Sequence, residues 1–238
     1  MEGPRKSLRH FLETPSGRYL AHCEKHFFAE ALPAIAGNVV VQIGLPELDA
    51  LSQSEAPWQY LASPYAHPRA HLLCLPEYLP FFAKSIDIVI APHALEGSTN
   101  PHQVLREIER ILVPEGLLLL SGINAMSVWR FKKKTMPWQG SFMSLPRLKD
   151  WLKLMNFECI QGTMAAYVPP FSSDKMIRQF TWLDKAGARW WPLQGGLYFL
   201  LAKKRVPAMI PIRLATSRWR AAPKAGKLIS IQERDWHG

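Results

Sequence analysis

An α/β fold, with a mostly parallel sheet covered by helices on both faces, is the class this sequence predicts. Three observations between residues 85 and 122 carry the prediction. Ser85-Ile86-Asp87-Ile88-Val89-Ile90-Ala91 is an apolar run of strand length that empties into Pro92-His93. Asn100-Pro101 is a helix cap residue followed by a proline at the first helical position. Val104, Leu105, Ile108 and Leu112 then recur at helical spacing, with Arg106, Glu107, Glu109 and Arg110 on the opposite side. Leu117-Leu118-Leu119-Leu120 reads as a second buried strand, once Pro114-Glu115-Gly116 has stopped the helix. Two near-continuous apolar strands joined by a helix imply parallel strands buried on both faces. In such sheets ligands sit beyond the carboxyl ends of the strands, here Ala91-Pro92-His93 and Ser121–Asn124.

The other elements follow in order. Residues 8–35 read as a helical lead-in, broken at Thr14-Pro15-Ser16-Gly17 and ended by Pro33. Within it Tyr19, Leu20, Cys23, Phe27, Phe28 and Leu32 share a face. Asn38–Ile43 is a β-branched run closing on Gly44, a residue that lets a backbone pass close to a ligand. Trp58–Ala62 and His71–Leu75 are the second and third strands. Ser144 is placed to cap a helix with Leu148, Trp151, Leu152 and Met155 on one face, stopped by Asn156. Phe157–Ile160 begins another strand, and Thr163–Val168 continues that region. Met176, Ile177, Phe180 and Leu183 make one short amphipathic helix that Gly187 ends. Gly196–Ala202 is the last strand.

Bulk features narrow the class. The net charge is +10, and nine Lys or Arg against two acids lie between Lys203 and Gly238, so the rest of the chain is close to +3. A second cluster is Arg130, Lys132, Lys133 and Lys134. Such patches attract polyanions without specificity, and a solvated surface with a loose tail fits them as well. Cys23, Cys74 and Cys159 show neither metal nor redox spacing, so buried free thiols and no metal site are expected. No segment approaches the roughly 20 apolar residues that cross a bilayer. Met1–Leu12 is basic without a signal-peptide core, so a soluble cytoplasmic protein making no membrane contact is expected.

A family resemblance rests on ordered short motifs: Leu79-Pro80-Phe81, Ser85-Ile86-Asp87-Ile88-Val89, Leu95-Glu96, Asn100-Pro101, Leu105-Arg106-Glu107 and Arg110-Ile111-Leu112-Val113-Pro114-Glu115-Gly116. Together they resemble class I S-adenosylmethionine-dependent methyltransferases, nearest to the type 11 domain. Gly122-Ile123-Asn124-Ala125-Met126-Ser127-Val128-Trp129 is similar to a segment of a small stand-alone bacterial (proteobacterial) subgroup. The likeness covers roughly residues 11–205. It implies a Rossmann-like, mostly parallel seven-stranded sheet with one antiparallel strand, the last. It also implies a methyltransferase-like domain over 1–205, with a helical lead-in at 1–36, an insertion at 169–192 and a basic tail at 206–238.

The resemblance implies S-adenosylmethionine as cofactor, held by Gln42, Gly44 and Leu45 at the first turn and Ser63 after the second strand. Pro76, Glu77 and Tyr78 lie against the base, and Ala91, Pro92 and His93 form the fourth strand end. The family places an acid near the first strand end and two or three glycines after it. This chain has Gln42 and Gly44, with Glu47 or Asp49 as substitutes for the acid. His93 is the candidate general base for an in-line methyl transfer. Asn124 and Tyr167 are candidates to orient the acceptor, while Asp87 reads as a structural hydrogen-bond acceptor. Aromatic and cationic residues at Trp129, Arg130, Phe131 and Trp138 suit a flat or anionic substrate or a self-packed lid.

Two readings stay open. One is methyl transfer to an unknown acceptor. The other is a catalytically eroded binding or regulatory protein; association with RNA through the basic tail is compatible with either. A nicotinamide-dependent dehydrogenase is disfavoured because Gly-x-Gly-x-x-Gly is missing. No motif identifies the acceptor or the oligomeric state.

Overall fold

The computed structural model describes residues 10–132 and 142–206. The predicted Lys133, Lys134 and Trp138, and the basic tail beyond Val206, lie outside the described residues. Seven strands form one sheet: β1 Val39–Ile43, β2 Trp58–Ser63, β3 Leu72–Leu73, β4 Ile86–Pro92, β5 Leu112–Ile123, β6 Phe157–Ala165 and β7 Leu197–Lys204. Their order is β3-β2-β1-β4-β5-β7-β6. β7 runs antiparallel to both its neighbours, and the other strands are parallel. This is the predicted Rossmann-like sheet with one reversed strand.

Alternation along the strands sends side chains to two cores. Val41, Ile43, Val89, Ala91, Leu118 and Leu120 face one side. There they meet helix α2 (Pro101–Ile111) and helix α3 (Leu145–Leu154) through Val104, Leu105, Ile108, Leu148 and Leu152. Val40, Ile88, Ile90 and Leu119 face the other side, against Phe28 and Leu32 at the end of helix α1 (Pro15–Ala31). Asp87 accepts from the Asn38 and Val39 amides at 2.8 and 2.9 Å, tying the starts of β4 and β1. That is the structural role read from the sequence.

Local chemistry explains where the elements depart from expectation. Thr14-Pro15 is a helix start rather than a break: Thr14 Oγ1 accepts from the Gly17 amide at 3.1 Å, and Pro15 takes the first helical position. Ser144 stands at the cap position of α3, but its side chain makes no capping bond. α2 ends at Ile111, and Leu112 already pairs with Ile86. Ile88 pairs with Leu117, so Val113–Gly116 loop out of the ladder where Pro114 has no amide to donate. Asn156 adopts a left-handed φ of 60° after α3, the stop its side chain favours. The three cysteines are free, and each is partly exposed rather than buried.

The expected single helix near residue 180 is two: α4 Asp174–Gln179 and α5 Trp182–Trp190. Gly187 lies inside α5 and does not end it. A Cβ there would stand 2.3 Å from the Tyr167 ring, so the helix packs on Tyr167 by having no side chain at this point. Gly187→Ala would gain about 1 kcal/mol of helix propensity. Overpacking against a ring costs about 1–3 kcal/mol, and the contact is too short for a small shift to relieve. The variant is expected to unfold at lower urea concentration than the wild type, with an unchanged slope.

Candidate active site

The strand order reverses between β1 and β4: the chain leaves β1 toward β2 and later returns to β4 on the other side. Such a switch point opens a crevice beyond the carboxyl ends of the two strands. Gln42 pairs with Ile90, which brings Gly44 beside Pro92. The Gly44 amide donates to the Ala62 carbonyl at 2.7 Å, and its φ is +77°. A Cβ placed on Gly44 would have only the Pro92 carbonyl oxygen within 4 Å, at 3.9 Å. The two places expected to share one cleft are therefore adjacent, and both are buried.

The turn after Gly44 has an unusual construction. Leu45 is left-handed, with φ 35° and ψ 67°. Short 3-10 turns, Pro46–Leu48 and Ala50–Gln53, stand where a βαβ crossover normally carries an α-helix. Gln42 holds this turn from below: its amide nitrogen donates to the Leu45 carbonyl at 2.8 Å and the Gly44 carbonyl at 3.3 Å, and its oxygen accepts from the Ala50 amide at 3.1 Å. Buried and fully committed, Gln42 shapes the backbone and is not a side-chain contact for a ligand. Leu45 packs into an apolar cluster with Tyr19, Leu20 and Trp129 and offers only its backbone.

His93 lies at the end of β4 with φ 50°, a conformation rare outside glycine. Its ring is buried between two glutamates. Nδ1 is 2.6 Å from Glu96 Oε2, and Nε2 is 3.2 Å from Glu24 Oε1. Glu24 also accepts from Ser121 Oγ, and Glu96 from the Ile123 amide. A neutral imidazole carries one N–H, so only the imidazolium can donate to both carboxyls. Burial pulls the His93 pKa down, but the charges and hydrogen bonds of Glu24 and Glu96 more than offset this and push it up to about 10. The expected general-base role is corrected accordingly: a buried imidazolium donating on both sides has no free lone pair for a proton.

Several other expected contacts are occupied within the chain. Ser63 is fully buried and donates to the Tyr65 carbonyl at 2.7 Å. Asn124 is a clamp: its Nδ2 donates to the Leu193 and Gly195 carbonyls at 3.0 Å each, and its Oδ1 accepts from the Met126 amide. It does not face an open cleft, being 1% exposed. Tyr167 donates to the Pro192 carbonyl at 3.1 Å. Trp129 is buried and donates to the Val168 carbonyl, so it belongs to the core and not to a substrate platform. Asp49 pairs with Arg69. Pro76, Ala91 and Pro92 are buried.

The remaining expected acids and aromatics are differently disposed. Glu47 accepts from the Tyr65 hydroxyl at 2.7 Å, and Glu77 from Ser98 Oγ at 2.5 Å. Tyr78 is exposed. Glu24 was absent from the expected set. The signal was present, since an acid stands between Leu20 and Phe28 on the helix face that the apolar residues define. Its second oxygen, Oε2, is buried and has no hydrogen-bond partner among the described residues. Glu47 also lines a cleft of about 480 Å³, with Leu12, Glu13, Arg18, Ala21, His22 and Lys25 on the α1 side. That volume lies within the range of small-molecule sites.

Residues 49–120, which run from the turn after β1 through β5, match the methyltransferase domain family. That segment is similar to a methyltransferase domain, and the chain shares the fold of solved S-adenosylmethionine-dependent methyltransferases. Its similarity to individual proteins is more distant. It is 30% identical over 154 residues to the uncharacterized protein YafS of Escherichia coli K12, a match covering 62% of this chain and 54% of that protein. The matched part thus spans about half the length of that relative. One similar solved structure is the complex of the Haloferax volcanii Trm112 methyltransferase activator with its methyltransferase partner. The match there has a TM-score of 0.62 at 14% identity, covering 85% of this chain and 97% of the other. Another is an S-adenosylmethionine-dependent methyltransferase of Thermotoga maritima, with TM-score 0.58, 16% identity and coverage of 79% and 92%. At these identities the structures establish the fold.

The buried triad has a consequence for stability. Because the folded-state pKa of His93 is raised from 6.5 to about 10, its contribution is complete below pH 6.5 and is lost as pH rises toward 10. Chemical denaturation across pH 6–10.5 is expected to show stability falling with pH, by at most about 1.4 kcal/mol per unit from this group. His93→Gln is expected to remove that part of the slope.

Proposed function

We propose that this chain transfers a methyl group from S-adenosylmethionine to an acceptor by in-line displacement. The observation that carries the reading is the adjacency of Gly44 and Pro92 at the switch point of this sheet. Two features fit a sulfonium nucleoside. The Gly44 backbone is uncrowded, with only the Pro92 carbonyl oxygen within 4 Å of where a Cβ would stand. The orphaned Glu24 Oε2 is a buried acceptor, suited to a ligand's ammonium group. Glu24 and the Gly44-Leu45 backbone would hold the amino-acid half, Glu47 the ribose hydroxyls, and Pro76, Glu77 and Tyr78 the base edge. When bound, the cofactor supplies an activated methyl group on sulfur.

The protein's own contribution is then positioning more than proton transfer. His93 is a fixed cation that orients Glu24 and Glu96. Acceptors that are nucleophilic without losing a proton, or that release it to solvent, match a site whose histidine accepts none. No element of the described residues is a helix long and apolar enough to cross a membrane.

Calorimetric titration of the full chain with S-adenosylmethionine tests the reading. Saturable binding at micromolar affinity is expected, with NADH giving no heat. Glu24→Gln, which keeps the shape and loses the charge, is expected to weaken binding about tenfold, as for loss of one charge-assisted hydrogen bond. Absence of binding in the folded wild-type chain would overturn it.

A further inference from the structure

Two segments beside the carboxyl end of β5 expose large apolar side chains. In the first, residues 126–131, Ser127 and Trp129 point inward while Met126, Val128, Arg130 and Phe131 point out. The second follows from α5. Gly187 is that helix's buried contact, while Trp182, Lys185 and Arg189 are exposed, and Trp190, Trp191 and Leu193 continue the exposure. The Asn124 side chain bonds the Leu193 and Gly195 carbonyls, so the two segments are sutured together. Met126, Phe131, Trp190 and Leu193 are each 66–79% exposed. So many large apolar side chains exposed on two tethered segments mark an interaction surface.

We propose that this face docks on an anionic lipid surface. The charge is complementary: Arg130, Lys185 and Arg189 are its exposed cations, and neither 126–131 nor 185–194 contains an acid. Asp184, the nearest acid in sequence, is turned in toward Tyr19 and the Tyr167 amide. Tryptophan, aliphatic side chains and flanking Lys/Arg are the mixture that settles at the headgroup boundary. RNA fits less well, because Met126, Val128 and Leu193 have no flat face on which a base can stack. The contact is peripheral and does not depend on methyl transfer.

Sedimentation of the full chain with vesicles of equal parts phosphatidylglycerol and phosphatidylethanolamine tests this, against phosphatidylcholine vesicles. Binding to the anionic vesicles alone is expected, weakened about tenfold by W190S/W191S with the tail intact. Met126→Ser with Leu193→Ser reads the same face should the tryptophan variant fail to fold. No wild-type binding would overturn the proposal. Binding unchanged in the folded variants would also overturn it, since basic segments elsewhere would then be responsible. So would retention of a single-stranded RNA, sensitive to the same substitutions, by a chain that ignores the vesicles.

Discussion

The pairing of His93 with Glu24 and Glu96 is the interaction on which the functional end of this molecule depends. It joins three parts of the chain that are remote in sequence: helix α1, the end of β4, and the end of β5 through Ser121 and the Ile123 amide. The left-handed backbone at His93 persists because both ring nitrogens are held. Three ionisable groups buried together gain little net stability over an apolar packing, since desolvation consumes most of the attraction. What they add is definition. They tie the placement of α1 to the carboxyl ends of β4 and β5.

The sheet was readable because it rests on periodicity. Continuous apolar runs at 86–91 and 117–120, separated by an amphipathic helix behind Asn100-Pro101, admit few arrangements other than parallel strands with both faces covered. Boundaries were less readable where a local bond decides them. Thr14 reads as a break until its hydroxyl is seen to accept from Gly17. Gly187 reads as a stop until Tyr167 is found where its side chain would go. Both are tertiary facts written in residues that local propensity assigns elsewhere.

The site was legible in place and not in chemistry. Its position follows from topology, so Gly44 and Pro92 fall together as expected. The roles of individual side chains depend on partners far away in the chain. Gln42 faces its own turn, Asn124 clamps the segment around Leu193, and His93 is kept charged by a glutamate 69 residues earlier and by Glu96. The site also departs from expectation in its electrostatics. A histidine near a reference pKa of 6.5 would be a natural base, yet two carboxyls convert it into a standing charge.

The short 3-10 turns after β1 have a further implication. A full α-helix there would aim its amino terminus, with aligned amide dipoles, at whatever lies above Gly44. Neither 3-10 segment, of three and four residues, sums to such a dipole. The charges at the cleft lined by Glu47 are therefore discrete side chains: Lys25 and Arg18, the latter paired with Asp174, face Glu13 and Glu47. Recognition built from mobile side chains in water is shielded by dissolved ions far more readily than recognition built from a fixed backbone field. The ionic strength of its surroundings thus becomes a setting on how strongly this cleft holds any charged guest.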